Sequence, residues 1–572
     1  MKRLAEALER VRFLRGRNDK IATLAAALRA IGEGGGPDAL EVAARLAVGR
    51  TLPQADPRTL GVGWRLVSEV ARDLTGWTDE EIGASSYVTG DLGEAFGLLV
   101  RRDPRSASRP GVPLAVVGAS LDEIAGARGR DEKYRALHEL FGAASWLETK
   151  YLAKAVMGSL RTGAMAGVLE AAITLAFSAP PDDVRRAWAL VTDPGIVAVL
   201  AFEERLEDAS LALGRPVDFM LASPTESLRE PIDWAHTLVE DKLDGVRAQI
   251  HVLGGDVAIF GRGLDRVTAQ FPELVRAFST APRAVLDGEI VAVGDGGRAR
   301  PFQVLQERIN QKAPSRALLA RTPVAFVAYD LLAEGDEPLL DCPLLVRRER
   351  LLAWAALAGL PSIVCRVNDA TRIGGDELDA AFDAARARGN EGLVLKRDDA
   401  PYDAGKRGSA WRKVKKALAT LDVVVTAAEE GHGRRAGLLS DYTFAVRAGE
   451  RLVNVGKAYS GITDDEIDEL TQTFRRVTTE KKGGVRLVEP TVVLEVAFDG
   501  LQKSKRHASG FALRFPRIVR IRRDKTPADA STLADVEGLY ASQLESGHRE
   551  TPAIENPTST PKKRQLSLFG DD

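Results

Sequence analysis

A chain of 572 residues is too long for one ordinary hydrophobic core, so about three domains of roughly 100–200 residues are expected. At 45% hydrophobic and 28% charged residues it reads as a globular protein without a transmembrane span, since no run approaches the ~20 apolar residues that cross a bilayer. Lys+Arg 79 against Asp+Glu 81 leaves a net charge of −2, so the total names no partner. The N-terminus MKRLAEALERVRFLRGR is too charged for a secretory signal. Cys342 and Cys365, the only cysteines, exclude a disulfide scaffold and a four-cysteine zinc site and suit a reducing cytoplasm.

Residues 1–216 are expected to be helical, because ALERVRFLRGRNDKIATLAAALRAI and YLAKAVMGSLRTGAMAGVLEAAITLAF space apolar residues near 3.6. Gly34–Pro37 and Asp103–Pro113 read as loops between them. From residue 217 the texture turns to strands: HTLVEDK, the half-buried hairpin strand VRAQIHV, VAIF, VLDGEIVAV, PVAFVAYDLL and EGLVLKR, with a helix in ELDAAFDAARARG. This α+β unit extends to 417. A second β-rich unit, 418–550, begins at LDVVVTAAEE and closes on IVRIRR, a texture compatible with a small barrel. The segment 551–572, TPAIENPTSTPKKRQLSLFGDD, is expected to be a disordered tail. No internal repeat is seen.

Charge is unevenly spread. Residues 501–526 hold nine Lys/Arg against Asp524 alone, and residues 405–416 hold six with no acid. The first block alternates Arg517, Arg520 and Arg522 with Ile518, Val519 and Ile521, which displays cations on an ordered strand and favours phosphate-rich ligands.

The most informative string is EDKLDGVR, 240–247. A strand-end lysine before an Asp-Gly turn can serve as an amine nucleophile toward a nucleotide α-phosphate, provided its proton is readily lost. The glycine is expected to let backbone approach the ligand closely. Alone, K-x-D-G recurs too readily by chance to assign a role. Downstream, in order, stand FGRG (260–263), VLDGEI (285–290), FVAYD (326–330), EGLVLK (391–396), WRKVK (411–415) and RFPR…RIRRDK (514–525). This series resembles that of the covalent nucleotidyltransferases, and most nearly the three-domain ATP-dependent DNA ligases of archaeal and eukaryotic type. GSLRTGAMAGVLEAAITLAF (158–177) is similar to their helical-domain signature, and residues 488–525 to the end of their OB domain.

The resemblance implies a multidomain fold: an all-α DNA-binding domain (1–216), an α+β nucleotidyltransferase domain (217–417), an all-β OB-fold domain (418–550) and a disordered tail. It implies Lys242 as the adenylated nucleophile, Glu240 as acceptor of the adenine amino group, Arg247 and Arg262 at ribose or phosphate, and Glu289 at the ribose hydroxyl. Tyr329 stands where the family usually has a stacking Phe, and Gly261 where it usually has Ser. Phe326 and Tyr329, three apart on a strand, face opposite sides, so one of them belongs to the core. Glu391, with Glu289, is the expected Mg²⁺ ligand, with Mn²⁺ as an alternative metal. Arg407, Lys413 and Lys415 would neutralise the α-phosphate of ATP, and Arg517, Asp524 and Lys525 would orient the pyrophosphate when the OB domain closes. For Lys396 a solvated strand end is the alternative to a role in the pocket.

In the helical domain Arg161 and Gly163 are the expected DNA contacts, and nicked duplex DNA the expected partner. In the tail, Gln565, Leu566, Leu568 and Phe569 resemble the short QLxLF peptide that docks on bacterial sliding clamps. These readings imply a bacterial monomer in the cytoplasm, associated with the nucleoid and not with membrane. Three rivals are weighed. An NAD⁺-dependent ligase lacks support in the cysteine count; an RNA ligase or capping enzyme does not account for the helical N-terminus; and a non-catalytic DNA-end binder does not account for usable chemistry at every motif position.

Overall fold

The computed structural model describes residues 1–545, except 104–108, 226, 227, 229, 295, 296, 298, 301, 310, 312, 415–418, 432–434, 436, 483 and 505. From Lys2 to Phe202 the regular structure is helical, running from helix Lys2–Phe13 to helix Pro194–Phe202 around one continuous core. Leu4, Leu8 and Val11 on the first helix are fully buried, the stripe that their spacing dictates. Gly34–Pro37 does not form a loop. It lies inside the helical run Arg17–Ala47 as a kink at Gly36, whose φ of 73° is cheap only for glycine and lets Pro37 start a new helical turn.

The middle unit holds two mixed sheets. Its strands are β1 (Leu221–Pro224), β2 (Thr237–Lys242), β3 (Val246–Val252), β4 (Val257–Gly261), β5 (Ala284–Ala292), β6 (Val324–Glu334), β7 (Glu337–Pro338), β8 (Cys365–Val367), β9 (Ala370–Thr371), β10 (Gly392–Arg397) and β11 (Arg407–Val414). One sheet runs β1-β11-β10-β2-β9. The other runs β4-β3-β5-β6-β7, with β8 beside β6. Sequence alternation suggested that β3 is half-buried, yet Gln249 and His251 on its polar face are fully buried. The incoming segment from the helical unit covers them: Gln249 exchanges hydrogen bonds with Val217 N and O at 3.1 and 2.7 Å, and His251 Nδ1 accepts from Gly214 N at 3.1 Å.

The C-terminal unit is a seven-stranded sheet plus a two-stranded one, from strand Ala419–Glu430 to strand Arg517–Ile521. Helices Asp464–Arg476 and Leu533–Glu545 pack on it, with Leu470, Phe474 and Val536 in its core. The basic block is not a free cationic surface. Arg517 pairs with Asp499 at 3.1 Å, Arg520 with Glu495 at 2.6 Å, Arg522 with Asp422 at 2.9 Å and with Asp524 at 2.7 Å, Arg523 with Glu469 at 2.6 Å, and Lys525 with Asp422 at 2.5 Å. Most of these acids come from segments remote in sequence, which the strand order brings alongside.

Candidate active site

One face of the first sheet gathers the site. Antiparallel register sets Lys396 opposite Leu238 on one side and Trp411 on the other, and Val394 between Glu240 and Lys413. With a period of two, Glu240, Lys242, Lys396, Trp411 and Lys413 therefore share that face. Lys242, the last residue of β2, lies 2.7 Å from Glu391 Oε2, and Glu391 N donates to Lys242 O at 2.7 Å. The other face of β2 is braced: Arg388 grips Asp241 through two bonds of 2.8 and 2.7 Å, and Asn390 Nδ2 adds a third at 2.7 Å.

Glu240 and Lys396 are each 2% exposed and 2.9 Å apart. Asn368 Nδ2 donates to Glu240 at 3.1 Å and Arg348 Nη1 at 3.4 Å, which leaves one acceptor position for the expected amino group. Lys396 is not a solvated strand end. Its ammonium sits 4.4 Å from the ring centroids of both Tyr329 and Trp411, so a buried cation lies over the aromatic wall.

The second sheet supplies the opposite wall. Arg247 donates to Asp287 (3.2 and 2.7 Å), Met220 O (2.6 Å) and Tyr402 Oη (3.4 Å), and its guanidinium lies 4.6 Å from the Phe219 ring. Burial, the largest single influence, opposes the charge on Arg247, but Asp287, Tyr329 and Tyr402 together outweigh it and hold the group protonated. Most of its donors are thus spent inside the protein rather than held out for ribose or phosphate. Phe326 is fully buried in the core, while Tyr329 is half-buried and faces Lys396 and Trp411. Alternation along the strand sets the two apart, and a bulge follows: Gly288 pairs with Ala328 and Asp287 with Asp330, so Tyr329 is the extra residue.

Gly245 is needed by the fold itself. A Cβ there would stand 2.4 Å from Ile290 O and 2.8 Å from Glu289 Cγ, so the glycine lets the KLDG turn close on β5. Glu289 beneath it is pushed up to about 8, first by burial and then by the nearby Glu391 and Asp287, against Lys242 and Arg247. Two hard carboxylates held in mutual repulsion beside a lysine suit a divalent cation that completes its shell with phosphate and water oxygens. Among the described residues no three His, Cys, Asp or Glu converge as a ready-made metal cage. The Trp411 indole N–H is buried and finds no acceptor among the described residues, which leaves a donor for a ligand oxygen.

Other expected residues lie farther out. Arg262 is exposed on the turn after β4, at the same sheet end as Arg247. Arg407 is exposed at the start of β11 and donates to Ala222 O at 2.8 Å; Lys415 lies outside the described residues. Arg517, Asp524 and Lys525 are held by carboxylate or arginine partners within the C-terminal unit. Arg514 of that unit reaches the KLDG turn, bidentate to Asp244 at 3.5 and 3.4 Å. Arg161, at φ 47°, and Gly163, at φ 75°, form a turn in the helical unit, tied by Arg161 Nη1 to Gly90 O at 3.4 Å. Gln565, Leu566, Leu568 and Phe569 lie outside the described residues. Sequence reading passed over Asp287, Arg348, Asn368, Tyr402 and Arg514 as site residues. Of these, Asp287 and Arg514 stand inside quoted motifs and could have been found there.

Sequence profiles match the chain in three places: "DNA ligase N terminus" at residues 1–174, "ATP dependent DNA ligase domain" at 219–415 and "ATP dependent DNA ligase C terminal region" at 435–525. A "Probable DNA ligase" of Koribacter versatilis (strain Ellin345) is 40% identical over 97% of this chain and 98% of its own length. A "DNA ligase" of Thermococcus fumicolans is 36% identical over 88% of this chain and 92% of its own. A solved structure titled "Pmar-Lig_Pre." is similar in fold, with a TM-score of 0.56 at 16% identity, over 91% of this chain and 99% of that one.

Proposed function

The chain belongs to the ATP-dependent DNA ligase family, and from that premise we propose how its own residues divide the sealing of nicked duplex DNA. Lys242 Nζ attacks the α-phosphorus of ATP, forming an N–P bond as the P–O bond to pyrophosphate breaks, and Glu391 at 2.7 Å is placed to take the amine proton. AMP then passes to the 5′-phosphate of a nick, and the 3′-hydroxyl displaces it. Glu240, fixed by Lys396, Asn368 and Arg348, receives the adenine amino group, and Tyr329 and Trp411 flank the base. Arg247 acts chiefly by holding the wall, Lys413 shares the face of Lys242 for phosphate neutralisation, and Arg262 and Arg407 form an outer phosphate rim; Lys415 is assigned to the α-phosphate from its sequence position alone. Glu391 and Glu289 would hold Mg²⁺, which supplies charge neutralisation on the phosphates.

We assign residues 1–216, 217–417 and 418–550 to the helical, nucleotidyltransferase and OB domains. Arg161 and Gly163 contact DNA, and Arg517, Asp524 and Lys525 serve the pyrophosphate after the C-terminal unit re-seats. The protein works as a monomer at the nucleoid, where its substrate lies. The observation that carries the reading is the face shared by Glu240, Lys242, Lys396 and Trp411. The test is incubation with labelled ATP: wild type should form an acid-labile lysyl-AMP, and Lys242→Ala should not, yet should still seal a pre-adenylated nick. Normal self-adenylation by Lys242→Ala would overturn the assignment. The QLSLF tail is proposed as a clamp tether; equal binding of intact and 551–572-deleted protein to a purified bacterial sliding clamp would refute it.

A further inference from the structure

Helix Leu378–Ala387 carries Arg386 in its last turn and is followed by Arg388, and the two arginines have different fates. Phe382 and Ala385 are buried and anchor the helix in the cluster beneath β10, which fixes its last turn. Arg388, just past the helix end, is spent on Asp241. Arg386 is half-buried and makes no hydrogen bond or ion pair with any of the described residues. It lines the crevice between the KLDG turn and the C-terminal unit, together with Asp244, Glu391, Asp499 and Arg514. Asp499, Asp244 and Glu391 favour its charge from a distance and Arg514 opposes it, while burial, the largest influence, disfavours it. A guanidinium shielded from water without a direct acceptor costs free energy in the free protein. Its planar donors match a phosphoryl group. The crevice opens where chemistry occurs, since Glu391 pairs with Lys242 and Asp244 is two residues beyond it.

We propose that Arg386 binds a phosphoryl oxygen of the reacting substrate at the mouth of this crevice. The proposal rests on the assignment of Lys242 as the adenylated residue. Two substrates carry the shared chemistry: the polyphosphate of ATP and the 5′-phosphate of the nick. Three single-turnover measurements on the full chain separate them: self-adenylation against ATP concentration, AMP transfer to a 5′-phosphorylated nick, and sealing of a pre-adenylated nick. Arg386→Gln keeps much of the packing stem and removes the charge; Arg386→Lys keeps charge without the fork.

A loss of about tenfold or more by Arg386→Gln, with partial retention in Arg386→Lys, is expected in one arm. A raised KM for ATP in self-adenylation identifies the polyphosphate. A loss confined to transfer, with normal self-adenylation, identifies the nick phosphate. Both variants within twofold of wild type in all three assays would overturn the proposal, as would equal losses in Gln and Lys variants with a lowered melting temperature, the mark of a packing role. Wild-type protein that forms no lysyl-AMP would overturn the Lys242 assignment and this proposal together, whereas active variants overturn this proposal alone.

Discussion

Single residues decide more here than their motif positions suggest. Lys396 closes EGLVLK and could pass for a solvated strand end, yet it is 2% exposed and bonded to Glu240. Strand register, not the string itself, sets it there, and Arg348 and Asn368 arrive from segments that no local pattern connects to residue 240. Asp218 is another case. Burial, then the nearby Glu170, pushes its carboxyl up to about 6, against a weaker pull from Arg50. A raised folded-state pKa means the native state holds the proton more tightly. The associated stability is full below the ordinary carboxylate range near pH 4 and is lost as pH rises through about 6. Asp218→Asn should therefore stabilise the protein by on the order of 2 kcal/mol at pH 7.5 and change little at pH 4. Denaturant midpoints at the two pH values check this, and a gain at pH 4 equal to that at pH 7.5 would exclude titration as the cause.

At the scale of elements, the helical, mixed and β-rich texture of the three regions was legible because periodicity reports which face is buried. What failed was local. The GGGP string reads as a loop, yet Gly36 absorbs the kink inside a helical run. VRAQIHV reads as half-buried, yet a chain segment from the helical unit covers its second face. Neither covering chain nor kink leaves a periodic mark. The KLDG turn shows what an element-level constraint costs to break. Gly245→Ala would drive a methyl against Ile290 O, and such overpacking typically costs about 1–3 kcal/mol. Because the turn starts at Lys242, a displacement of roughly 1 Å should also slow self-adenylation on the order of 100-fold. A single-turnover assay on folded variant protein measures this. Undiminished adenylation would show that the turn does not set the lysine.

Across the whole molecule, polar links among the described residues join the three units. Arg186 meets Asp341 at 3.1 and 2.9 Å, Gln54 Nε2 donates to Leu264 O at 2.6 Å, and Arg514 meets Asp244. The last link fastens the C-terminal unit to the KLDG turn. Arg514→Ala should loosen it, and small-angle scattering of the DNA-free protein should then give a larger radius of gyration. An unchanged radius would assign the closure to other contacts in that crevice. The paired basic strand has a consequence for how this surface meets a polyanion. Arg517, Arg520, Arg522 and Lys525 each face a carboxylate at 2.5–3.1 Å. Charges so matched form a row of short dipoles, and the field of such a row decays far faster than that of a bare cationic stripe, within less than the ~8 Å Debye length of physiological salt. A duplex approaching from solution is therefore not steered by this strand. On the proposed role toward pyrophosphate, these residues would act only after contact, once phosphate oxygens displace the carboxylates that now occupy them.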